Sequence, residues 1–400
     1  MDSLNVSFIS HFVPTKENVG GPSSLPYYIL KYRDSSCVMV NVYSYNLNNI
    51  GISQIKEIEK DLNISIYILK LPLWFRILSS TKLMKFVGLI LTYPIKSYIR
   101  LSKAQLKEIT NLNPGLIWIY PHFYYRIALQ FIDYKKVITG PDSSSLHSYR
   151  VLKDSSSFLS RKKMLGALIS YNKDVQLEKQ WNIDNAKIHF VGMDDCTLFN
   201  QICPNQNAFF ILHPHFGLVD KNIKFSKERI KILLTGKFDI YTYTDAKALI
   251  LILENTKNLT NLIEITFIGK GWECLVQRLI ESGYICKHII WVENYLVEIA
   301  KYDMQIFPIS VGSGTKGKVL DALSTGLLCL GSKYALENIC VRKNESCLLY
   351  NSIEDVPSLI EAIYNNKEKY EEVAKMGQFQ VRKYHDPARI SRRFWDISLK

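Results

Sequence analysis

The sequence predicts an α/β protein of two domains, each a parallel β-sheet covered by helices. Three observations predict it. The chain has 400 residues, more than one core usually serves. Apolar runs of strand length alternate with amphipathic segments of helix length almost throughout. The periodicity then breaks between Pro214 and Ser226, where His-Pro-His-Phe-Gly and a polar stretch precede a fresh strand. The expected domains are 1–220 and 221–385, with 386–400 as a final helix that returns to the first domain.

Composition narrows the setting. Apolar residues at 47% and charged residues at 22% suit a globular protein with a sizeable core. The net charge of +13 predicts an anionic partner. No nucleic-acid recognition motif is present, so nucleic acid is not the expected one. Eight cysteines without a Cys-x-x-Cys pair read as free, mostly buried thiols of a reducing cytosol. The first apolar stretch, 6–13, is short, carries polar residues and runs into Pro14, so no secretory leader is expected. No apolar run approaches the ~20 residues of a membrane span. The expected location is the cytoplasm.

In the first half, strands are expected at 5–9, 37–42, 64–69, 116–120, 136–139, 187–191 and 208–212. Val19-Gly20-Gly21-Pro22 follows the first of them and precedes a helix, a place where backbone N–H groups gather. Between Leu62 and Lys107 there is no Asp or Glu, whereas Lys70, Arg76, Lys82, Lys85, Lys96, Arg100, Lys103 and Lys107 alternate with Trp, Phe, Leu and Ile. That segment, 62–107, reads as a basic amphipathic surface for anionic headgroups, cut into short helices by Pro72 and Pro94. Thr139-Gly140-Pro141-Asp142-Ser143-Ser144-Ser145 leaves a strand at the carboxyl edge, where ligands bind in open α/β sheets, and Asp142 is its candidate catalytic side chain. The alternative is that Asp142 caps a helix. His147 and Arg150 lie further along the same helix. The His213 and His215 pair lacks the acids or cysteines that would complete a metal site, and reads as hinge packing.

In the second half, strands are expected at 231–235, 264–268, 289–292, 304–307, 327–330 and 347–349. The strongest signal runs from Phe307 through Gly312-Ser313-Gly314-Thr315-Lys316 to Gly326: strand, glycine loop, helix, glycine stop. Such a loop before a helix suits a diphosphate, and Lys316 and Lys318 add charge. At 100° per residue, Val319, Leu320, Ala322 and Leu323 share one face, and Lys318, Asp321 and Thr325 the other. Asp321 is thereby placed to accept hydrogen bonds from ribose hydroxyls. Its bland alternative is a surface Lys–Asp pair.

The succession Ile232-Leu-Leu-Thr-Gly236-Lys237, Phe267-Ile-Gly269-Lys270-Gly271, Tyr302–Pro308 and the glycine loop resembles the nucleotide-binding half of family 4 glycosyltransferases, over about residues 230–350. The resemblance implies the GT-B fold, two Rossmann-like domains facing across a cleft. It implies that Lys237 meets the donor's diphosphate and acts in catalysis. It also implies that Gly20, Gly21, Gly236, Gly269 and the 312–316 loop approach the donor. The family's two glutamates, seven residues apart, fall on Ser313 and Asp321, so one carboxylate is replaced. The family histidine of the first domain falls near Pro141 and Asp142, where this chain has none.

The resulting expectation is a retaining hexosyl- or glycosyltransferase that uses a nucleotide-diphosphate sugar as co-substrate, with no cofactor and no metal. Its acceptor would be a saccharide or a lipid-linked saccharide in surface polysaccharide or lipopolysaccharide assembly. The enzyme would rest on the inner face of the cell membrane. The alternatives are a degenerate, non-catalytic nucleotide-sugar-binding subunit, or a sugar-nucleotide epimerase on the same fold.

Overall fold

The computed structural model describes residues 4–19, 22–81, 83–154 and 160–400. Gly20, Gly21 and Lys82 lie outside the described residues. The chain divides into two compact units. One comprises Met1–Tyr149, Leu165–Pro214 and Pro387–Lys400, the other Arg150–Met164 and His215–Asp386. The change of unit at Pro214–His215 comes earlier than residue 220, and a short stretch after Tyr149 groups with the second unit.

The first unit holds seven strands: β1 (Leu4–Ser10), β2 (Val38–Ser44), β3 (Ser65–Ile68), β4 (Leu116–Tyr120), β5 (Lys136–Gly140), β6 (Ala186–Phe190) and β7 (Asn207–Phe210). They pair in parallel in the order β3-β2-β1-β4-β5-β6-β7. The central strand β4, Leu-Ile-Trp-Ile-Tyr, is apolar at every position because both its faces are covered, and all five residues are buried. Phe8 stacks on Trp118 at 4.0 Å between ring centres, and the helix Pro387–Leu399 closes over that face with Phe394 and Trp395. Trp395 and Ser391 of this helix both donate to the Ile29 carbonyl, at 3.1 and 2.7 Å, while Arg389, Arg392 and Arg393 lie outside the buried face.

The 62–107 segment leaves the edge strand β3. It forms the helices Leu73–Ser79 and Leu83–Ile90, a 3-10 turn at Ile95–Tyr98 and the helix Lys103–Asn111. Pro72 and Pro94 stand immediately before the first helix and the turn, and Ser102 caps the last by accepting from Gln105 N–H. Phe75 is buried and fastens the first helix to the unit's core. Much of the remaining apolar surface of both helices turns outward.

The second unit holds β8 (Ile230–Thr235), β9 (Ile263–Ile268), β10 (Ile285–Ile289), β11 (Met304–Phe307), β12 (Leu328–Gly331) and β13 (Leu348–Leu349), parallel in the order β10-β9-β8-β11-β12-β13. Two apolar clusters cover its two faces. The strand expected at 289–292 is instead β10, which ends at Ile289. An edge strand tolerates polar residues such as Lys287 and His288, whereas the apolar run beyond it is an exposed loop with Trp291 73% accessible. A second correction concerns Thr325. Expected on the polar face, it is fully buried, because the long helix Lys367–Tyr384 packs on the last turn of Gly317–Thr325 and Arg382 donates to the Ser324 carbonyl at 3.0 Å. Among the cysteines, Cys196, Cys203, Cys329 and Cys347 are buried, while Cys37 and Cys274 are exposed, so burial is less general than expected.

Candidate active site

In a parallel sheet every strand delivers its carboxyl end to one edge, and at that edge of the second unit the expected motifs meet. Gly236 closes β8, and its N–H donates to the Ile268 carbonyl at 2.9 Å. Gly269 closes β9 with φ +130°, and a Cβ there would stand 2.2 Å from the Gly236 carbonyl oxygen. The two turns therefore touch, and only glycine permits the approach. The indole of Trp272 donates to that same carbonyl at 2.8 Å, and the His288 ring reaches the Gly269 carbonyl at 2.7 Å. Lys237 projects from this platform, exposed to solvent.

Beside it lies the 312–316 loop, which ends at the N-terminus of Gly317–Thr325. Gly314, with φ +65°, supplies its left-handed turn. Ser313 and Thr315 are half-buried in the loop. The two lysines that follow part company. Lys316 turns back: its ammonium donates to the carbonyls of Ser313 and Gly314 at 3.0 and 2.8 Å and pairs with Glu337 at 3.0 Å. Arg150 grips the same carboxylate at 2.7 and 2.8 Å and the Gly312 carbonyl at 2.7 Å. Burial raises the Glu337 pKa, against the lowering pull of Lys316 and Arg150. Lys316 thus braces the loop.

Lys318 points the other way. Its ammonium lies 5.4 Å from the Tyr295 ring centre, and a Cβ on Gly236 would meet it at 3.5 Å. It keeps solvent contact, yet the surrounding protein removes enough water to lower its pKa, against the raising pull of Asp321 and Asp239. Asp321 stands one turn on, with its side chain 29% exposed and one oxygen 3.0 Å from His215 Nε2. His215 is nearly buried, and its backbone N–H donates to the His385 carbonyl at 2.8 Å. This histidine, read from sequence as packing, orients the candidate ribose acceptor. His213 belongs to the first unit, and its ring reaches the neighbouring Pro214 carbonyl at 2.7 Å.

The first unit has a pocket of about 510 Å³ at the carboxyl ends of β1, β4 and β5, lined among others by His11, Lys96, His122, Asp142, His147 and Asp174. Asp142 is half-buried on its wall. The Ser143 hydroxyl beside it caps the following helix, accepting from Leu146 N–H at 3.3 Å. His147 lines this pocket, whereas Arg150 serves the second unit.

Sequence reasoning missed the two other histidines here. His122, just beyond β4, is buried, with Nε2 3.4 Å from Ser144 Oγ and 3.8 Å from Glu178. Glu178 is itself fully buried and accepts from Ser143 Oγ at 3.1 Å, Ser145 N–H at 3.2 Å and Ser145 Oγ. A Cβ on Gly140 would fall 2.7 Å from His122 Nδ1, so this glycine makes room for the ring. The signal lay in a Gly at the end of one strand facing a His beyond another, which only strand order connects. His11 shares a short hydrogen bond with the Tyr124 hydroxyl. Burial first, and Lys96 second, lowers its pKa to about 3, so its ring is neutral. Asp174 accepts from Ser148 Oγ at 2.8 Å, and burial raises its pKa to about 6.

Solved structures share this arrangement of strands and helices across the whole chain. Anabaena HepE in complex with UDP matches with a TM-score of 0.62 at 11% identity, over 98% of this chain and 99% of that one. Sucrose-phosphate synthase from Thermosynechococcus elongatus matches with a TM-score of 0.64 at 12% identity, over 98% of each chain. A point mutant of S. aureus TarM, in complex with Fondaparinux, alpha-GlcNAc-glycerol and UDP, matches with a TM-score of 0.62 at 8% identity, over 99% and 100%. The fold is GT-B. No protein-family model matches the chain, and no curated protein does. At these identities the GT-B likeness carries architecture alone. Among the described residues, no group of three His, Cys, Asp or Glu side chains is arranged to hold a metal ion.

Proposed function

We propose that the chain is a glycosyltransferase that takes a sugar from a nucleotide-diphosphate donor. One observation carries the reading: the second sheet gathers two touching glycine turns, a helix N-terminus, the ammonium groups of Lys237 and Lys318, and Asp321 at one edge. That set matches a nucleoside diphosphate part by part. The glycine turns leave room for phosphate oxygens, the helix N-terminus offers them backbone N–H groups, the lysines neutralise their charge, and Asp321 accepts from the ribose hydroxyls. When the glycosidic bond breaks, negative charge collects on the departing diphosphate. Cations and amides already fixed there stabilise it without reorganising. Because lysines supply that charge, the reading needs no metal ion. UDP is the nucleotide bound in the Anabaena and S. aureus proteins, so uridine diphosphate sugars are the first donors to try.

The pocket of the first unit is the proposed acceptor side, with Asp142 and His122 as the groups that face the incoming hydroxyl. The finer assignment, a retaining family 4 enzyme of surface polysaccharide or lipopolysaccharide assembly, rests on the motif succession of residues 230–350. The further proposal that it works at the inner face of the cell membrane on a lipid-linked acceptor rests on the basic 62–107 segment and its exposed apolar side chains, among them Leu73, Phe86 and Ile90. Incubation with a panel of labelled nucleotide sugars and a lipid extract tests the reading. Label moved to an acceptor supports it. Binding of UDP sugars without transfer supports the degenerate subunit, and conversion of the free sugar nucleotide supports the epimerase.

A further inference from the structure

A second cavity of the first unit lies away from the carboxyl-edge pocket. It measures about 580 Å³, inside the roughly 300–1,000 Å³ range of small-molecule sites. It opens where the chain leaves β3 and enters the helix Leu73–Ser79. Lys70, Leu73 and Trp74 line one stretch of it, and Tyr98, Arg100 and Ser102 another. Its lining is anchored: Leu69 and Leu101 are buried in the unit's core, and Gln105 Nε2 donates to the Lys70 carbonyl at 3.1 Å. The cavity therefore carries two exposed cations, hydroxyl and amide groups, and an apolar wall.

Its surroundings say what fits. The two helices that follow the cavity present apolar side chains to solvent, with Leu73 68% exposed, Phe86 62% and Ile90 70%. Scattered apolar residues on a surface need no explanation, but several on two short helices that pack against each other do. Arg76, Lys103 and Lys107 are exposed along the same segment, which has no acidic residue from Leu62 to Lys107. No helix among the described residues is long and apolar enough to cross a membrane. Bulky apolar groups beside an excess of cations complement a bilayer whose surface is anionic and whose interior is hydrocarbon. Glu108 also lines the cavity and repels an anion, but Lys70 and Arg100 bring two positive charges to the same lining against its one negative charge.

We propose that this cavity binds the phosphate and glycerol of a single anionic phospholipid, with Lys70 and Arg100 on the phosphate, while Leu73, Trp74, Phe86 and Ile90 enter the acyl layer. The proposal rests on the membrane reading of the 62–107 segment and sharpens it from general attraction to one seated headgroup. A guanidinium offers phosphate a forked pair of donors, and Tyr98 and Ser102 add hydroxyls.

The full chain is titrated with dihexanoyl-phosphatidylglycerol below its micelle concentration, read by calorimetry. It is also sedimented with vesicles of phosphatidylcholine, alone or with about 30% phosphatidylglycerol. Two double variants are compared, Lys70→Glu/Arg100→Glu and Phe86→Ser/Ile90→Ser, with Lys70→Gln/Arg100→Gln in reserve if charge reversal impairs folding by circular dichroism. The expected result is saturable binding of the short-chain lipid by the wild type. That binding weakens at least tenfold in the charge variant and is unchanged in the Phe86/Ile90 variant, which loses vesicle binding instead. Failure of the wild type to bind the short-chain lipid, or equal binding by the charge variant, overturns the headgroup site. Retained preference for anionic vesicles in that case leaves the membrane reading standing. Equal binding to both vesicle types, or to neither, overturns both. Capture of a protein partner with no lipid response also overturns both.

Discussion

At the carboxyl edge of the second sheet backbone amides and ammoniums surround the Asp321 carboxylate, whereas the pocket of the first unit gathers imidazoles and carboxylates around the Lys96 ammonium. The difference extends to burial. Lys237 and Lys318 keep solvent contact, while His122 and Glu178 are buried and Glu178 is satisfied through Ser143 and Ser145. An edge that must meet an oxyanion uses fixed partial charges and mobile cations, because the ligand brings the negative charge with it. A pocket that must steer a neutral hydroxyl uses acceptors and donors whose own charges are already compensated by hydrogen bonds, since a buried unpaired charge is too costly to keep.

The largest test of this contrast sets the lysines against one another. Lys237→Ala and Lys318→Ala are each expected to lower kcat/KM with the donor by about 10²–10³-fold, the scale for removing one group that stabilises developing charge. Steady-state kinetics at constant ionic strength measures it. Lys316→Ala is expected to behave differently. It removes the cation that holds Glu337 and two loop carbonyls, so the loss appears in stability, about 1–2 kcal/mol by urea unfolding. If Lys316→Ala loses activity as Lys318→Ala does while unfolding at the same urea concentration, Lys316 contacts the donor and the division of labour falls.

The next test belongs to the first unit and needs no substrate. Asp174 has a folded pKa of about 6 against an ordinary value of 3.8. The unfolded chain releases this proton first as pH rises, so the folded state binds more protons between those values. Stability attributable to Asp174 therefore falls as pH rises from about 4 to about 6, by about 2 kcal/mol, and stays lower above that. Asp174→Asn is expected to flatten that part of the unfolding profile. An unchanged slope would show that the carboxyl is solvated and the pocket more open than described.

Gly140→Ala tests whether the pocket depends on its buried histidine. The added carbon would stand 2.7 Å from His122 Nδ1 and 3.1 Å from the Phe190 ring, so the imidazole must move. Turnover is expected to drop about tenfold while UDP binding, followed by calorimetry, is unchanged. A parallel loss of UDP affinity would contradict the assignment of donor and acceptor to separate units.

Legibility from sequence followed the same division. The second edge was readable because its parts are local: Gly236-Lys237, Gly269 and the 312–316 loop each sit within a few residues of a recognisable strand. Helical arithmetic even separated Lys318 and Asp321 from the buried face. What it missed depended on distant chain. Thr325 is buried by a helix much later in the sequence, Lys316 is claimed by Glu337, and the edge strand β10 hid behind the more apolar run that follows it. The pocket of the first unit was hardly readable at all. His11, His122 and the helix that carries both Asp174 and Glu178 come from well-separated stretches of the chain, and only the β1-β4-β5 order makes His11 and His122 neighbours of the 140–145 loop.

The smallest expected effect concerns one of the two junction histidines that the sequence reads as hinge packing. His215 touches Asp321 at 3.0 Å, and the Ser324 hydroxyl at 3.3 Å, and it is tied to the His385 carbonyl through its backbone. Its side chain aims the carboxylate and does not itself face the donor, which makes it a positioning residue. His215→Ala is expected to raise the donor KM about threefold to fivefold with kcat nearly constant, about 1 kcal/mol of orientation. His215→Gln, which can still donate to the carboxylate, should recover most of that loss. In an Asp321→Ala background the same His215→Ala change should do nothing further, because the group it aims is gone. Additive effects would mean that the two side chains act separately, and that Asp321 grips the ribose without help. A fall in kcat with unchanged KM would move His215 from the ribose to the reacting bond.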